Sequence, residues 1–179
     1  MQRRIFVSGA AFAAAALVGS PGGAQAQQVV WEDVASADGR YRLKMPKGYR
    51  YMTVPGHGGV LHSYVIMLAD KFILEFLDVS LPTPASPVPT DPAALQLALQ
   101  QAQGGMQKSW PGSTVIEQRP VTTGPLTGRE FVFAAQGDRI VIVRMYLTPV
   151  AAYTQVAQGP AAERKNPLIT QFMDSLSFG

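Results

Sequence analysis

Short apolar runs broken by turn residues recur from Trp31 to Ala157, and this rhythm limits the chain to a strand-rich fold built from hairpins. Residues 31–34 and 41–45 alternate apolar and polar side chains on either side of the turn signal Ala37-Asp38-Gly39. Residues 49–54 predict another short strand. Residues 60–69 and 72–79 are rich in aromatic and β-branched side chains, with Asp70-Lys71 between them as a tight turn. Both runs are apolar at successive positions, which predicts a sheet covered on both faces. Residues 114–122, 128–135, 139–148 and 153–157 bring the candidate runs to nine, of which seven or eight are expected to form strands.

Two stretches switch to helical spacing. Asp91-Pro92 sets an N-cap before a proline at the first helical position. Leu95, Leu99, Ala102 and Met106 then form one apolar stripe, which predicts a helix over residues 92–106. Asn166-Pro167 repeats the cap. Leu168, Ile169, Phe172, Met173 and Leu176 follow on one face, predicting a helix over 167–176. Residues 81–92 hold five prolines, which remove backbone donors and fix φ, so this stretch reads as a stiff crossover from sheet to helix. Hairpin connections imply antiparallel pairing, and two-sided apolar strands imply helical cover. The expected fold is therefore α+β: a central antiparallel sheet of about six to eight strands with helices packed on both faces, an α/β/α sandwich.

The first 26 residues read as an address, not as part of that fold. Arg3 and Arg4 precede a mild apolar run over residues 5–18, a Ser-Pro-Gly-Gly break and Ala24-Gln25-Ala26. This is the order of a cleaved export signal, with cleavage near Ala26. The apolar run is shorter than the roughly 20 residues that a membrane-spanning helix needs. Arg3, Arg4, Phe6 and Val7 match the twin-arginine export pattern, whereas Gln2 and Ser8 depart from it. A general secretory signal fits as well. The expected organisation is a signal over 1–26 and a single monomeric domain over 27–179, located in the periplasm, with no transmembrane span in the mature chain.

Composition narrows the function. The signal holds two of the 15 basic residues and none of the 12 acidic ones, so the mature chain is near neutral. That argues against a nucleic-acid partner, which needs a concentrated basic face. The chain has no cysteine, which excludes disulfides, thiolate metal sites and lipid attachment at an N-terminal cysteine.

Several segments resemble small exported bacterial proteins of the PsbP-like α/β/α sandwich type. They are Trp31-Glu-Asp-Val with residues 38–46 (DGRYRLKMP), Leu126-Thr-Gly-Arg-Glu-Phe, Arg144-Met-Tyr-Leu with Tyr153, and the closing residues 171–178 (QFMDSLSF). The resemblance implies a central antiparallel sheet between helical layers and accessory or scaffolding roles. It brings no catalytic residues with it.

Few residues in the chain carry a recognisable chemical motif. The only histidines, His57 and His62, sit five residues apart, which is not a ligand spacing, and neither cysteine nor carboxylate flanks them. There is no G-x-S-x-G elbow and no phosphate-binding glycine loop. No catalytic residue, metal or cofactor is expected. One constellation stands out. If Gly137-Asp138 is a two-residue loop, Arg129 faces Tyr146 and Phe131 faces Arg144, so Arg129, Arg144 and Tyr146 share a sheet face. Such a pair of arginines would bind a small carboxylate or phosphate, or else a protein carboxylate such as Asp174. The leading reading is a non-catalytic exported accessory protein that binds a periplasmic protein or envelope partner through the aromatic, Gly-rich loop over residues 49–59, which bears Tyr49, Tyr51 and His57. The alternative is a small-anion binder that uses Arg129, Arg144 and Tyr146. A hydrolase has the least support.

Overall fold

The computed structural model describes residues 29–56, 59–69, 71–80, 88–89 and 91–179. The expected export signal over residues 1–26, His57, Asp70 and most of the proline-rich stretch lie outside these residues.

Among the described residues, ten strands and two α-helices follow one another. They are β1 (Trp31–Ala35), β2 (Tyr41–Pro46), β3 (Arg50–Gly56), β4 (Gly59–Leu68), β5 (Phe72–Ser80), α1 (Pro92–Gln107), β6 (Thr114–Thr123), β7 (Leu126–Ala135), β8 (Arg139–Leu147), β9 (Ala151–Pro160), α2 (Pro167–Asp174) and β10 (Ser177–Phe178). Both predicted helix starts form as their caps dictate. The Asp91 carboxylate accepts from the Ala94 amide at 2.7 Å, and the Asn166 side chain accepts from the Leu168 amide at 2.9 Å.

The strands make two sheets. Seven of them run antiparallel in the order β3-β4-β5-β9-β8-β7-β6. A second sheet of three has the order β1-β2-β10. Tyr41, Leu43 and Met45 alternate inward along β2 while Arg42 and Lys44 face solvent. They meet Phe72, Leu74, Phe76, Ile142, Tyr146 and Tyr153 of the large sheet and Ile169 and Phe172 of α2 in one core. On the opposite face Phe131, Phe133, Val141, Val143 and Val156 pack against Met106 at the end of α1 and against Trp110.

This corrects the expected α/β/α sandwich. Helices do not form a layer on each face. One face is closed mainly by the three-stranded sheet, with the eight-residue α2 beside it. On the other, α1 lies over β7 and β8. The reason is visible in β2. Its clean alternation marks a strand with one solvated face, as in an outer antiparallel layer. The pairs Ser177↔Arg42 and Phe178↔Tyr41 then bring the chain's last strand onto β2.

The register between β7 and β8 also differs from expectation. Ala135 pairs with Arg139, so the loop holds three residues, with Gly137 and Asp138 both at positive φ (73° and 54°). Asp tolerates that conformation better than most residues. The extra loop residue shifts the pairing by one, and with a period of two that turns β7 over relative to β8. Glu130, not Phe131, faces Arg144, and Arg129 faces Met145.

Candidate functional site

The corrected register separates the arginines. Arg144 and Tyr146 lie on the face covered by α2, whereas Arg129 points to the face under α1. There Arg129 donates to the Gln96 side chain of α1 at 3.0 Å and to Gln118 at 3.2 Å, and sits 6.0 Å from the Phe131 ring.

Arg144 belongs to a row that crosses the whole large sheet: Tyr51, Tyr64, Phe76, Gln155, Arg144, Glu130 and Arg119 lie side by side on successive strands. The row has a charged half and an aromatic half. In the charged half Glu130 is almost fully buried and accepts from Arg144 at 2.6 Å and from Arg119 at 2.8 Å. Arg144 also donates to Asp174 at 2.8 Å and to the Met173 carbonyl at 2.7 Å. Beside it, Gln155 donates to the Phe172 carbonyl at 2.9 Å. These two carbonyls stand at the end of α2, where a cation is favourable, and the Phe172 carbonyl also accepts from the Ser175 amide and hydroxyl. Burial opposes the Arg144 charge, but its bonds to Glu130 and Asp174 outweigh that and hold its pKa above the usual arginine value. A shallow cleft of about 310 Å³ lies over this half, lined by Arg119, Thr122, Thr123, Arg144, Tyr146 and Asp174 among others. Tyr146 is fully buried at its floor and bonds Thr123 at 2.8 Å. Two carboxylates balance the two guanidiniums, so the cleft does not demand an anion.

The aromatic half ends at the sheet edge. Strand β3 is the first of the seven, and among the described residues no strand pairs with its outer side. Residues 50–55 are all exposed. Tyr51 is 52% exposed yet held on several sides. Its hydroxyl bonds His62 Nδ1 at 2.7 Å and accepts from Thr53 at 3.0 Å. Its ring stacks on His62 and tilts against Tyr64 at 4.9 Å. Tyr49, half-buried, packs on Tyr64 from the same side. Pro55 is tolerated at this edge because a missing N–H there costs no ladder bond. The third residue expected at this surface, His57, lies outside the described residues.

Sequence reasoning passed over two buried carboxylates in β5. Asp78 stands beside His62 and Tyr153 on the core side, 3.9 Å from Arg40, with one oxygen lacking a hydrogen bond. Burial raises its pKa, with Arg40 and His62 working against the rise. Glu75 faces the α1 side and accepts from Ser63 Oγ at 3.1 Å. Burial pushes its pKa up to about 7, and the Ser63 bond opposes this only in part. The available signal was two acids within an otherwise apolar run, residues 72–79 (FILEFLDV). Among the described residues no cluster of His, Asp and Glu is arranged to hold a metal ion, and no helix is long and apolar enough to cross a membrane.

A seven-stranded antiparallel sheet with a small second sheet and two short helices defines a PsbP-like fold. The structure is similar to that of cyanobacterial PsbP (CyanoP) from Synechocystis, with a TM-score of 0.60, 12% identity, and coverage of 90% of this chain and 99% of that one. It also matches PA94, a protein of unknown function from Pseudomonas aeruginosa (TM-score 0.45, 9% identity, 80% of this chain and 93% of that one). A third match is LpqN, involved in cell envelope biogenesis of Mycobacterium tuberculosis (TM-score 0.45, 16% identity, 84% and 91%). The fold assignment rests on the first of these, and at that identity it concerns fold alone. No family model matches the sequence, and no curated protein matches it.

Proposed function

We propose that the chain is an exported, periplasmic, non-catalytic accessory protein whose single domain, residues 27–179, docks a protein partner of the cell envelope on the tyrosine-bearing edge at β3. The observation that carries this reading is Tyr51, an aromatic ring half exposed at a sheet edge and fixed by His62, Thr53 and Tyr64. An exposed ring that is already immobilised loses little conformational entropy on binding, and tyrosine is enriched at the centres of protein interfaces. Pro55 interrupts the row of donors along β3, so side chains rather than an added strand would carry the contact. The order of charged, apolar and small-residue segments over residues 1–26 supports export. An anion competing for Arg144 would have to displace both Glu130 and Asp174, which weighs against the anion-binding alternative.

The test is site-specific photo-crosslinking in intact cells. A photoreactive side chain at Thr53, next to Tyr51, should yield a discrete adduct with a second polypeptide. The same group at Ile116, exposed on β6 at the far edge of the sheet, should not. Equal patterns at both positions would overturn the assignment of the surface.

A further inference from the structure

Glu75 occupies an unusual place. It is 6% exposed, lies within β5, and its carboxylate has one hydrogen bond, from the neutral hydroxyl of Ser63. Its row on that face runs Arg50, Val65, Glu75, Val156, Val143, so aliphatic side chains flank it on both sides. Thr154 and Leu77 lie in the next row. The ionisable groups that share this face are few. Arg50 stands two strands away on β3, Arg129, three strands away on β7, is bound to Gln96 and Gln118, and Arg139, two rows along at the start of β8, donates to the Lys71 carbonyl. Lys71, just before β5, is paired with Glu163 at 3.3 Å. Helix α1 and residues 81–90 contain no ionisable side chain. None of these cations lies within ion-pair distance of Glu75.

The Ser63–Glu75 bond also crosses a particular seam. Strand β4 joins the sheet only through β5, and β3 only through β4. The β3–β4 hairpin, which carries Tyr51 and His62, therefore hangs from the β4–β5 ladder that this bond spans.

We propose that Glu75 is a proton-operated latch on the β3–β4 hairpin: neutral, it seals the β4–β5 seam, and ionised, it draws water into the seam and loosens the hairpin. A carboxylate with one neutral donor and no cation is costly to keep dry, so ionisation is relieved by hydration. The donor of its one bond, Ser63, sits on β4, and the two strands beyond that bond are the smaller unit to part, since β9, β8 and the α1-packed core lie on the other side. The consequence for partner binding rests on the reading of β3 as the docking edge; the latch itself does not.

The experiment is done on the free, full-length exported protein. Carbon NMR follows the Glu75 carboxyl, and amide hydrogen exchange, corrected for intrinsic rates, follows β3, β4 and β8 between pH 5.5 and 8. Glu75 should titrate close to neutrality. Protection in β3 and β4 should fall on the order of tenfold or more over that range and stay well below that of Val141 and Val143 of β8, whose protection falls only as global stability does. Glu75→Gln should hold the hairpin protected at both pH values. Ser63→Ala, which removes the donor favouring the charged form, should move the midpoint upward. A Glu75 titration in the ordinary carboxylate range, β3 and β4 amides as well protected at pH 8 as those of β8, or loss that persists in Glu75→Gln would each overturn the latch. Crosslinking at Thr53 is read independently, so failure of the docking surface and failure of the latch are distinguishable.

Discussion

Replacing Arg144 with methionine tests whether the charged row is built for the fold or held open for a ligand. The guanidinium supplies one of two charged bonds to Glu130, whose side chain is 6% exposed. Losing a charged hydrogen bond to a buried partner costs about 1.5–3 kcal/mol. The Met173 carbonyl at the end of α2 loses its donor too, for about 1 kcal/mol more. Asp174 is 60% exposed, so that pair adds roughly 0–1 kcal/mol. Arg119 remains on Glu130, which keeps the total below the upper end for a stripped buried charge. The sum is about 3 kcal/mol. The assay is urea unfolding followed by the fluorescence of Trp31 and Trp110, with the midpoint and slope both fitted. Two comparisons sharpen it. Arg129→Met, whose partners are neutral glutamines, should cost only about 1 kcal/mol. Glu130→Gln placed in the Arg144→Met background should recover part of the loss, because it removes the charge left without its partner. A loss under about 1 kcal/mol, or one that Glu130→Gln does not touch, would refute the reasoning and leave Arg144 free to serve a ligand.

The core, the buried acid and the processing site each give a further test. Phe172→Ala should cost about 3–5 kcal/mol in the same assay, since the ring is fully buried between α2 and both sheets. Glu75 has a folded pKa near 7 against 4.5 for a free carboxyl, so its stabilising contribution is full below about pH 4.5 and is lost as pH rises through about 7. Between pH 5 and 8 the wild type should therefore lose about 2–3 kcal/mol more than Glu75→Gln, measured by urea unfolding at both pH values. Mass spectrometry of the exported protein should find an N-terminus at or near Gln27, and intact Met1 in the periplasmic pool would contradict the signal.

What was legible in the sequence was local. Asp91-Pro92 and Asn166-Pro167 announced both helices because a cap acts on amides two or three residues away. Strand positions followed from apolar runs for the same reason. The pairing of β7 with β8 was not legible, because it turned on whether Asp138 belonged to the loop. One residue there decides the face of every side chain in β7, Arg129 included. The second sheet was hidden for a related reason: alternation along residues 41–45 says which side chains turn inward, but not which sheet the strand joins. Tyr49 and Tyr51 were legible as a cluster and do sit together, whereas their anchors Tyr64 and His62 come from the next strand and needed the register to be found.

The most direct test of the docking surface uses the absence of cysteine from the chain. A single cysteine introduced as Thr53→Cys reports on the β3 edge, and one introduced as Lys108→Cys, exposed just after α1, reports on a surface assigned no partner. Maleimide labelling rates are compared between the purified protein and intact periplasm. The account predicts that labelling at position 53 slows several-fold in the periplasm while labelling at position 108 keeps its ratio. Equal ratios at the two positions would contradict it.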